Sequence, residues 1–264
     1  MTLGHHAVGG GPIKVLWAHS WLAGHEGYDG LFPLLDTERY SWVFPDFRGY
    51  GRSGELTGDF SVQEMGRDLI DLVDTLGWDE FHLVGHSMGG QAAQWVAGRP
   101  EPRSRPASLT LLSAVPSRGF PLDADGAALF GTATGDPEAR ATVISAVTGG
   151  RLGAGFVRHV NDVSHRTADP AAMRGYLRTW TGDDASGEAL GYQGPVLVLT
   201  GRHDPVLTQA VAEGQIVPQY TDVRSVVIDG AAHLPPMETP ARTAALIEGH
   251  VLESAAGTSE RPLT

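Results

Sequence analysis

The chain contains no cysteine, which excludes a thiol nucleophile, a disulfide framework and a thiolate metal site. Basic residues are also scarce: 19 Lys and Arg stand against 31 Asp and Glu, a formal net charge of −12 over 264 residues. Such a field repels phosphate backbones and anionic lipid, so neither nucleic acid nor a membrane surface is an expected partner. The plain reading of the charge is solubility. No apolar run is long enough to span a bilayer. The amino-terminal stretch MTLGHHAVGGG lacks the basic and long apolar regions of a secretion signal. Together these absences predict a soluble, cytoplasmic protein, with no cysteine chemistry to test the redox state of its surroundings.

What is present is a chain able to bury a core, with 41 % hydrophobic residues. Strand and helix signals alternate along it, which predicts an α/β fold: a mainly parallel sheet with helices on both faces. Strands are expected at Ile13–Ala18, Tyr40–Phe44, Phe81–Val84, Ala107–Ala114, Val196–Thr200 and Arg224–Ile228. The strongest helix signal runs from Ser61 to Leu76. Ser61 and Glu64 form a capping box there, Val62, Met65, Leu69, Leu72, Val73 and Leu76 recur at helical spacing, and Gly77 ends the run. A second helix follows Ser87 as far as about Ala97, and a third closes the chain from Pro240 to Leu252, with the small polar residues Ser254 to Thr264 expected to fray.

Residues 117–194 differ in character, being rich in Ala, Gly, Arg and Asp with helical spacing, as in Phe156, Val157 and Val160. A structureless loop of that length is improbable in a compact domain. The division expected is therefore residues 1–116 and 195–264 as one core and 117–194 as a helical insertion.

Three segments carry chemistry. Gly85-His86-Ser87-Met88-Gly89 fits G-x-S-x-G and lies between a strand and a helix of small residues. In that setting a sharp turn lifts the serine hydroxyl above the sheet, and the two glycines remove side chains that would collide. Asp204 follows the strand VLVLT, at a strand end where open α/β sheets place functional groups. Taken alone, it equally suits a plain turn before Pro205. His233 follows the last strand. Of eleven histidines it alone comes after both Ser87 and Asp204 and at a strand exit, since His250 falls in the terminal helix. His203, beside Asp204, reads as a turn residue. Serine, acid and histidine in that chain order, each on its own strand-end loop, match the order of a nucleophile-elbow hydrolase.

On these residues the chain resembles the α/β-hydrolase superfamily over nearly its whole length. Asp46-Phe47-Arg48-Gly49-Tyr50-Gly51-Arg52-Ser53 resembles the D-x-R-G-x-G-x-S turn of its cap-bearing esterase, lactonase and perhydrolase branch. His19-Ser20-Trp21 stands where those relatives carry His-Gly-x, with serine in place of the glycine. The resemblance implies an α/β-hydrolase sheet with a helical cap inserted after strand 6. It also implies Ser87 as nucleophile, His233 as base, Asp204 as the acid that orients it, and the backbone N–H groups of Trp21 and Met88 as an oxyanion hole. His19, Ser20, His86 and Trp180 are then expected near the substrate. Of the insertion's aromatic residues, Phe120, Phe130, Phe156, Tyr176 and Trp180, most are expected to pack it onto the sheet and one or two to face the cavity.

The function implied is hydrolysis of a small to medium hydrophobic ester or lactone, with no metal or organic cofactor. A C–C bond hydrolase or a perhydrolase would use the same three residues. A cofactor-free ring-cleaving dioxygenase resembles the chain around Trp21, the Arg48 turn and His233, but carries its acid after the sixth strand, where this chain reads Leu112-Ser113-Ala114-Val115. A hydroxynitrile lyase and a binding protein with a retained triad complete the alternatives. Haloalkane dehalogenase and epoxide hydrolase chemistry are disfavoured, because both need aspartate where Ser87 stands. Oligomeric state is not readable from the sequence.

Overall fold

The computed structural model describes residues 2–99 and 105–258. Seven strands form one sheet: β1 (His5–Val8), β2 (Ile13–Ala18), β3 (Tyr40–Pro45), β4 (His82–His86), β5 (Ser108–Leu112), β6 (Val196–Gly201) and β7 (Val223–Ile228), in spatial order β1-β3-β2-β4-β5-β6-β7. All neighbours run parallel except β1, which pairs antiparallel with β3. Apolar patterning does not announce β1. Its sequence is His-His-Ala-Val, it lies at the sheet edge, and none of its residues is fully buried. Because only seven strands are described, the helical insertion leaves the sheet after β5 in this numbering.

The central strands are apolar on both sides because both sides are covered. Successive residues of β2 alternate: Leu16 and Ala18 join one core cluster, Val15 and Trp17 the other. In β6, Val196 and Val198 face the first cluster while Leu197 and Leu199 face the second. Helices α1 (Val62–Leu76) and α2 (Met88–Ala97) cover the first face, and α10 (Pro240–Thr258) packs on the second. The last helix extends beyond Leu252 to Thr258, so the segment from Ser254 to Thr258 is helical, while 259–264 lie outside the described residues.

Helix α1 begins and ends where its sequence says, but its box is only half made. The Glu64 N–H donates to Ser61 Oγ at 3.2 Å and Gly77 closes the helix at φ 67°. The Glu64 carboxylate turns instead to the Phe60 N–H, at 2.8 Å, and pairs with Arg48 at 3.2 Å.

Between β5 and β6 run five helices: α3 (Ala124–Ala133), α4 (Pro137–Val147), α5 (Ala154–Thr167), α6 (Pro170–Gly182) and α7 (Ser186–Ala189). Local signals start three of them. Asp123, Asp136 and Asp169 cap α3, α4 and α6, and proline occupies the first position of α4 and α6, where its missing N–H costs nothing. Two short helices, α8 (Gln209–Gln215) and α9 (Pro235–Glu238), follow β6 and β7.

Strand order fixes where a site can form. After β2 the chain places β3 on one side and β4 on the other. The crevice beyond the carboxyl ends of β2 and β4 is therefore a topological switch point, the usual ligand position in open parallel sheets. Trp21 follows β2 and Ser87 follows β4.

Candidate active site

Ser87 occupies the turn between β4 and α2 with φ 54° and ψ −117°, a conformation that costs a non-glycine residue about 1–3 kcal/mol. The surroundings over-determine it. Its N–H donates to the Leu112 carbonyl at 3.0 Å, and its carbonyl accepts from Gly90 at 2.9 Å and Val115 at 3.0 Å. A Cβ on Gly85 would lie 2.7 Å from both the Ala93 Cβ and the Gly90 Cα, and one on Gly89 would strike the Ala18 carbonyl. Gly90, which the five-residue pattern does not include, is equally constrained, because a Cβ there would overlap the Ala114 side chain.

Ser87 Oγ lies 2.9 Å from His233 Nε2, and His233 Nδ1 lies 2.8 Å from Asp204 Oδ2. The second Asp204 oxygen, Oδ1, accepts from the N–H groups of Val206 at 2.9 Å and Leu207 at 3.0 Å. All three residues are buried. Burial pushes the Asp204 carboxyl up. The neighbouring His233 and the two loop amides outweigh burial, and the net shift is downward, so Asp204 stays ionised. An ionised acid accepting from Nδ1 leaves Nε2 as the acceptor for the Ser87 hydroxyl. This arrangement can deprotonate the serine as it attacks.

The loops bearing acid and base are locked together. His203 N–H donates to the Ala231 carbonyl at 3.0 Å. Gly201 is required there, since a Cβ would strike the Ala232 carbonyl. Glu238 braces the histidine loop further: its carboxylate accepts from Ala232 and Leu234, each at 2.9 Å, and pairs with Arg151 at 3.2 Å. Sequence reasoning missed Glu238. Its one local signal is a carboxylate five residues after His233, within the last short helix.

Met88 opens α2 directly after Ser87, so its N–H has no intrahelical acceptor and lies at the positive end of the helix dipole. Trp21 is tethered at its other groups. Its carbonyl accepts from Tyr50 Oη at 2.7 Å and its indole Nε1 donates to Met173 in α6 at 2.9 Å. Ser20, in the place of a glycine, does not adopt a positive φ, so the side chain brings no backbone strain there.

A profile of the alpha/beta hydrolase family matches residues 5–246. The chain belongs to that family. Among solved structures, the alpha/beta hydrolase superposes on an esterase from Exiguobacterium antarcticum with a TM-score of 0.81 over 94 % of each chain at 18 % identity. It superposes on an enol-lactonase from Burkholderia xenovorans with a TM-score of 0.80, covering 95 % of this chain and 96 % of that one at 20 % identity. At these identities the likeness is one of fold. Curated relatives match over shorter stretches. A 2-heptyl-3-hydroxy-4(1H)-quinolone dioxygenase from Mycobacteroides abscessus is 38 % identical over 108 residues, 38 % of this chain and 37 % of that protein. A fluoroacetate dehalogenase from a Burkholderia species is 36 % identical over 95 residues, 34 % of this chain and 31 % of that protein. The matches thus span about a third of the length of these relatives.

In this member of the family a narrow cavity meets Ser87 and His233. Ser20, Trp21 and Leu22 line one side, Val206 and Leu207 another, and Phe120, Phe130, Val143, Val147 and Trp180 of the insertion cover it. Among the described residues, no Asp, Glu, Lys or Arg lines it. Three insertion aromatics face this cavity rather than one or two. Phe156 lines a separate groove, and Tyr176 packs against Phe47, Tyr50 and Phe60.

Of the four residues expected near the substrate, Ser20 and Trp180 border the cavity, whereas His19 and His86 do not. The reason is hydrogen bonding behind the site. His19 Nδ1 donates to the Ser20 carbonyl at 2.7 Å and its Nε2 accepts from Phe47 N–H at 2.9 Å, so the ring is wholly engaged by backbone. His86 is fully buried between Tyr28 and the His233 carbonyl. Burial drives the His19 pKa down to about 4 and that of His86 to about 3, so both rings are neutral at ordinary pH. Among the described residues, no group of three or more His, Asp or Glu side chains could hold a metal ion, and no helix is long and apolar enough to cross a membrane.

Proposed function

We propose that this alpha/beta hydrolase cleaves a carboxylic ester or lactone of a small to medium hydrophobic substrate through an acyl-enzyme on Ser87. The observation that carries the reading is the continuous Ser87–His233–Asp204 contact, with 2.9 Å and 2.8 Å separations. His233 takes the hydroxyl proton as Ser87 attacks the carbonyl, then passes it to the leaving group. Asp204 holds the ring in the Nδ1–H tautomer and stabilises its cation. Charge developing on the former carbonyl oxygen meets the Met88 and Trp21 N–H groups, each such donor contributing about 3–4 kcal/mol to the transition state. Water then releases the acid by the same steps. The helical insertion acts as a cap, and its apolar lining favours an uncharged acyl group.

The test is a fluorophosphonate probe on the parent protein and on Ser87→Ala, followed by aryl ester, alkyl ester and lactone substrates. Labelling confined to the parent, with turnover of uncharged esters or lactones, is expected. Activity only on charged polar esters would refute the substrate class, and absence of labelling the nucleophile.

A second reading is a cofactor-free dioxygenase, favoured by the 38 % identity over 108 residues to the quinolone dioxygenase. Against it, the acid bound to His233 comes from the loop after β6, while the position after β5 holds Ser113. Oxygen uptake with a hydroxyquinolone separates the two. Dehalogenase chemistry stays disfavoured, because serine stands at position 87 where that chemistry needs aspartate. C–C bond cleavage and perhydrolysis would proceed through the same three side chains and belong in the substrate panel.

A further inference from the structure

Behind the site runs a hydrogen-bond chain that the proposed reaction does not itself use. The Ser20 N–H donates to Tyr28 Oη at 3.0 Å. Tyr28 Oη lies 2.9 Å from His86 Nδ1, and His86 Nε2 lies 3.0 Å from the His233 carbonyl. Because buried His86 is neutral, the two ends determine every proton between them. An amide can only donate and a carbonyl can only accept. Tyr28 therefore receives from Ser20 and donates its hydroxyl to Nδ1, which leaves His86 as the Nε2–H tautomer donating to His233. All three bonds point the same way, and aligned bonds in a dry interior reinforce one another.

What the chain joins is informative. Ser20 precedes Trp21, whose N–H faces the developing oxyanion in the proposed reaction. His86 precedes Ser87, and the His233 carbonyl belongs to the base itself. One line of contacts thus ties the three loops that carry donor, nucleophile and base, which come from β2, β4 and β7. Tyr28 is set in place from its own side: it ends a short turn beginning at His25, whose N–H and ring both bond Asp46 at 2.7 Å.

We infer that Tyr28 and His86 are positioning residues, a relay that holds the Trp21 donor and the His233 ring in register with Ser87 and keeps a neutral ring beneath the base. This rests on the serine-hydrolase reading. The neutrality matters because the His86 and His233 ring centroids are only 5.9 Å apart. A second cation at that distance would oppose formation of the His233 imidazolium during attack. Burial first, and then the neighbouring His233, push His86 toward the neutral form, and the Tyr28 hydroxyl fixes which neutral form it takes.

The experiment compares Tyr28→Phe, His86→Leu and His86→Gln in the full chain. Ring-nitrogen NMR on the parent reads the relay directly, and kcat and KM on an aryl ester, with the rate of fluorophosphonate labelling, read its effect. His86 is expected with Nδ1 unprotonated and Nε2 protonated. Tyr28→Phe and His86→Leu are expected to lower kcat about tenfold to hundredfold with KM nearly unchanged, as small misplacements of catalytic groups do. His86→Gln, whose carboxamide can both accept and donate, should recover the larger part. A protonated Nδ1 in the parent, an unchanged kcat in Tyr28→Phe, or equal losses for Leu and Gln would each overturn the relay. A parent protein that neither labels nor turns over any ester would sink the hydrolase reading instead. The ring-nitrogen spectra, with faster amide exchange at Ser20 in Tyr28→Phe as the expected result, would then still decide the relay.

Discussion

Asp204 divides its carboxylate between His233 and its own loop: Oδ2 lies 2.8 Å from the His233 ring, while Oδ1 is held by the Val206 and Leu207 amides. The carboxylate is therefore immobilised, as the orienting role proposed for it requires. In Asp204→Asn, the loop amides still demand a carbonyl oxygen, so the side-chain NH₂ is turned toward His233 and imposes the wrong tautomer. We expect kcat to fall by about 10⁴-fold, against about 10⁶-fold for Ser87→Ala, with folding intact. Steady-state and single-turnover assays check this, and parent-like activity in Asp204→Asn would show that another acid serves.

Glu238 does for the His233 loop what those amides do for Asp204. Its buried carboxylate accepts from the N–H groups on both sides of His233, at Ala232 and Leu234. Glu238→Ala strands both amides, and urea unfolding should record a loss of about 3 kcal/mol. Glu238→Gln, able to accept with one oxygen only, should fall between. Turnover should decline with the loosening of the loop, and equal stability of Ala and parent proteins would contradict the brace.

Acid sensitivity should begin well above the carboxylate range. Burial lowers the His19 and His82 pKa values to about 4 and that of His86 to about 3. Unfolded histidine binds its proton near pH 6.5, so between there and pH 4 the unfolded state holds more protons. Stability is thus full above pH 6.5 and falls as pH drops through that window, each such group contributing up to about 1.4 kcal/mol per pH unit. Asp204 and Asp46, both with lowered pKa values, add a further loss only below about pH 4. Urea midpoints from pH 8 to 4 test this. His82→Gln, remote from the site, should remove about one proton from the slope, and a flat profile between pH 6.5 and 5 would refute the account.

Arg140 is buried in the helical insertion at 1 % exposure, and no carboxylate pairs with it among the described residues. Its guanidinium donates to the Ala133 carbonyl at 2.9 Å, the Thr134 carbonyl at 3.0 Å and Ser164 Oγ at 3.2 Å, joining α3, α4 and α5. Arg140→Met should destabilise by about 3 kcal/mol, because it leaves those acceptors unpaired in a dry interior. Arg140→Lys, with three donors and no planar fork, should restore only part. Thermal unfolding measures both, and a Met variant as stable as the parent would show that the acceptors find other donors.

Local chemistry made much of the protein legible from the sequence. The glycines at 85 and 89, the Ser61 cap and the Gly77 stop each work through neighbours within a few residues, so sequence alone specified the sharp turn at Ser87 and the span of α1. Alternating apolar runs likewise specified the inner strands, since burial on both faces leaves no other composition. Tertiary structure decided the rest. Strand β1 depends on an edge partner some forty residues away, Glu64 turned from Ser61 to Phe60 and Arg48, and Glu238 acts on a loop that no periodicity predicts. The same holds for His19 and His86, which the sequence placed beside the substrate and the fold turned inward. A histidine's neighbours in the chain say where its backbone lies, but the direction of its ring is set by donors and acceptors that only folding brings within 3 Å.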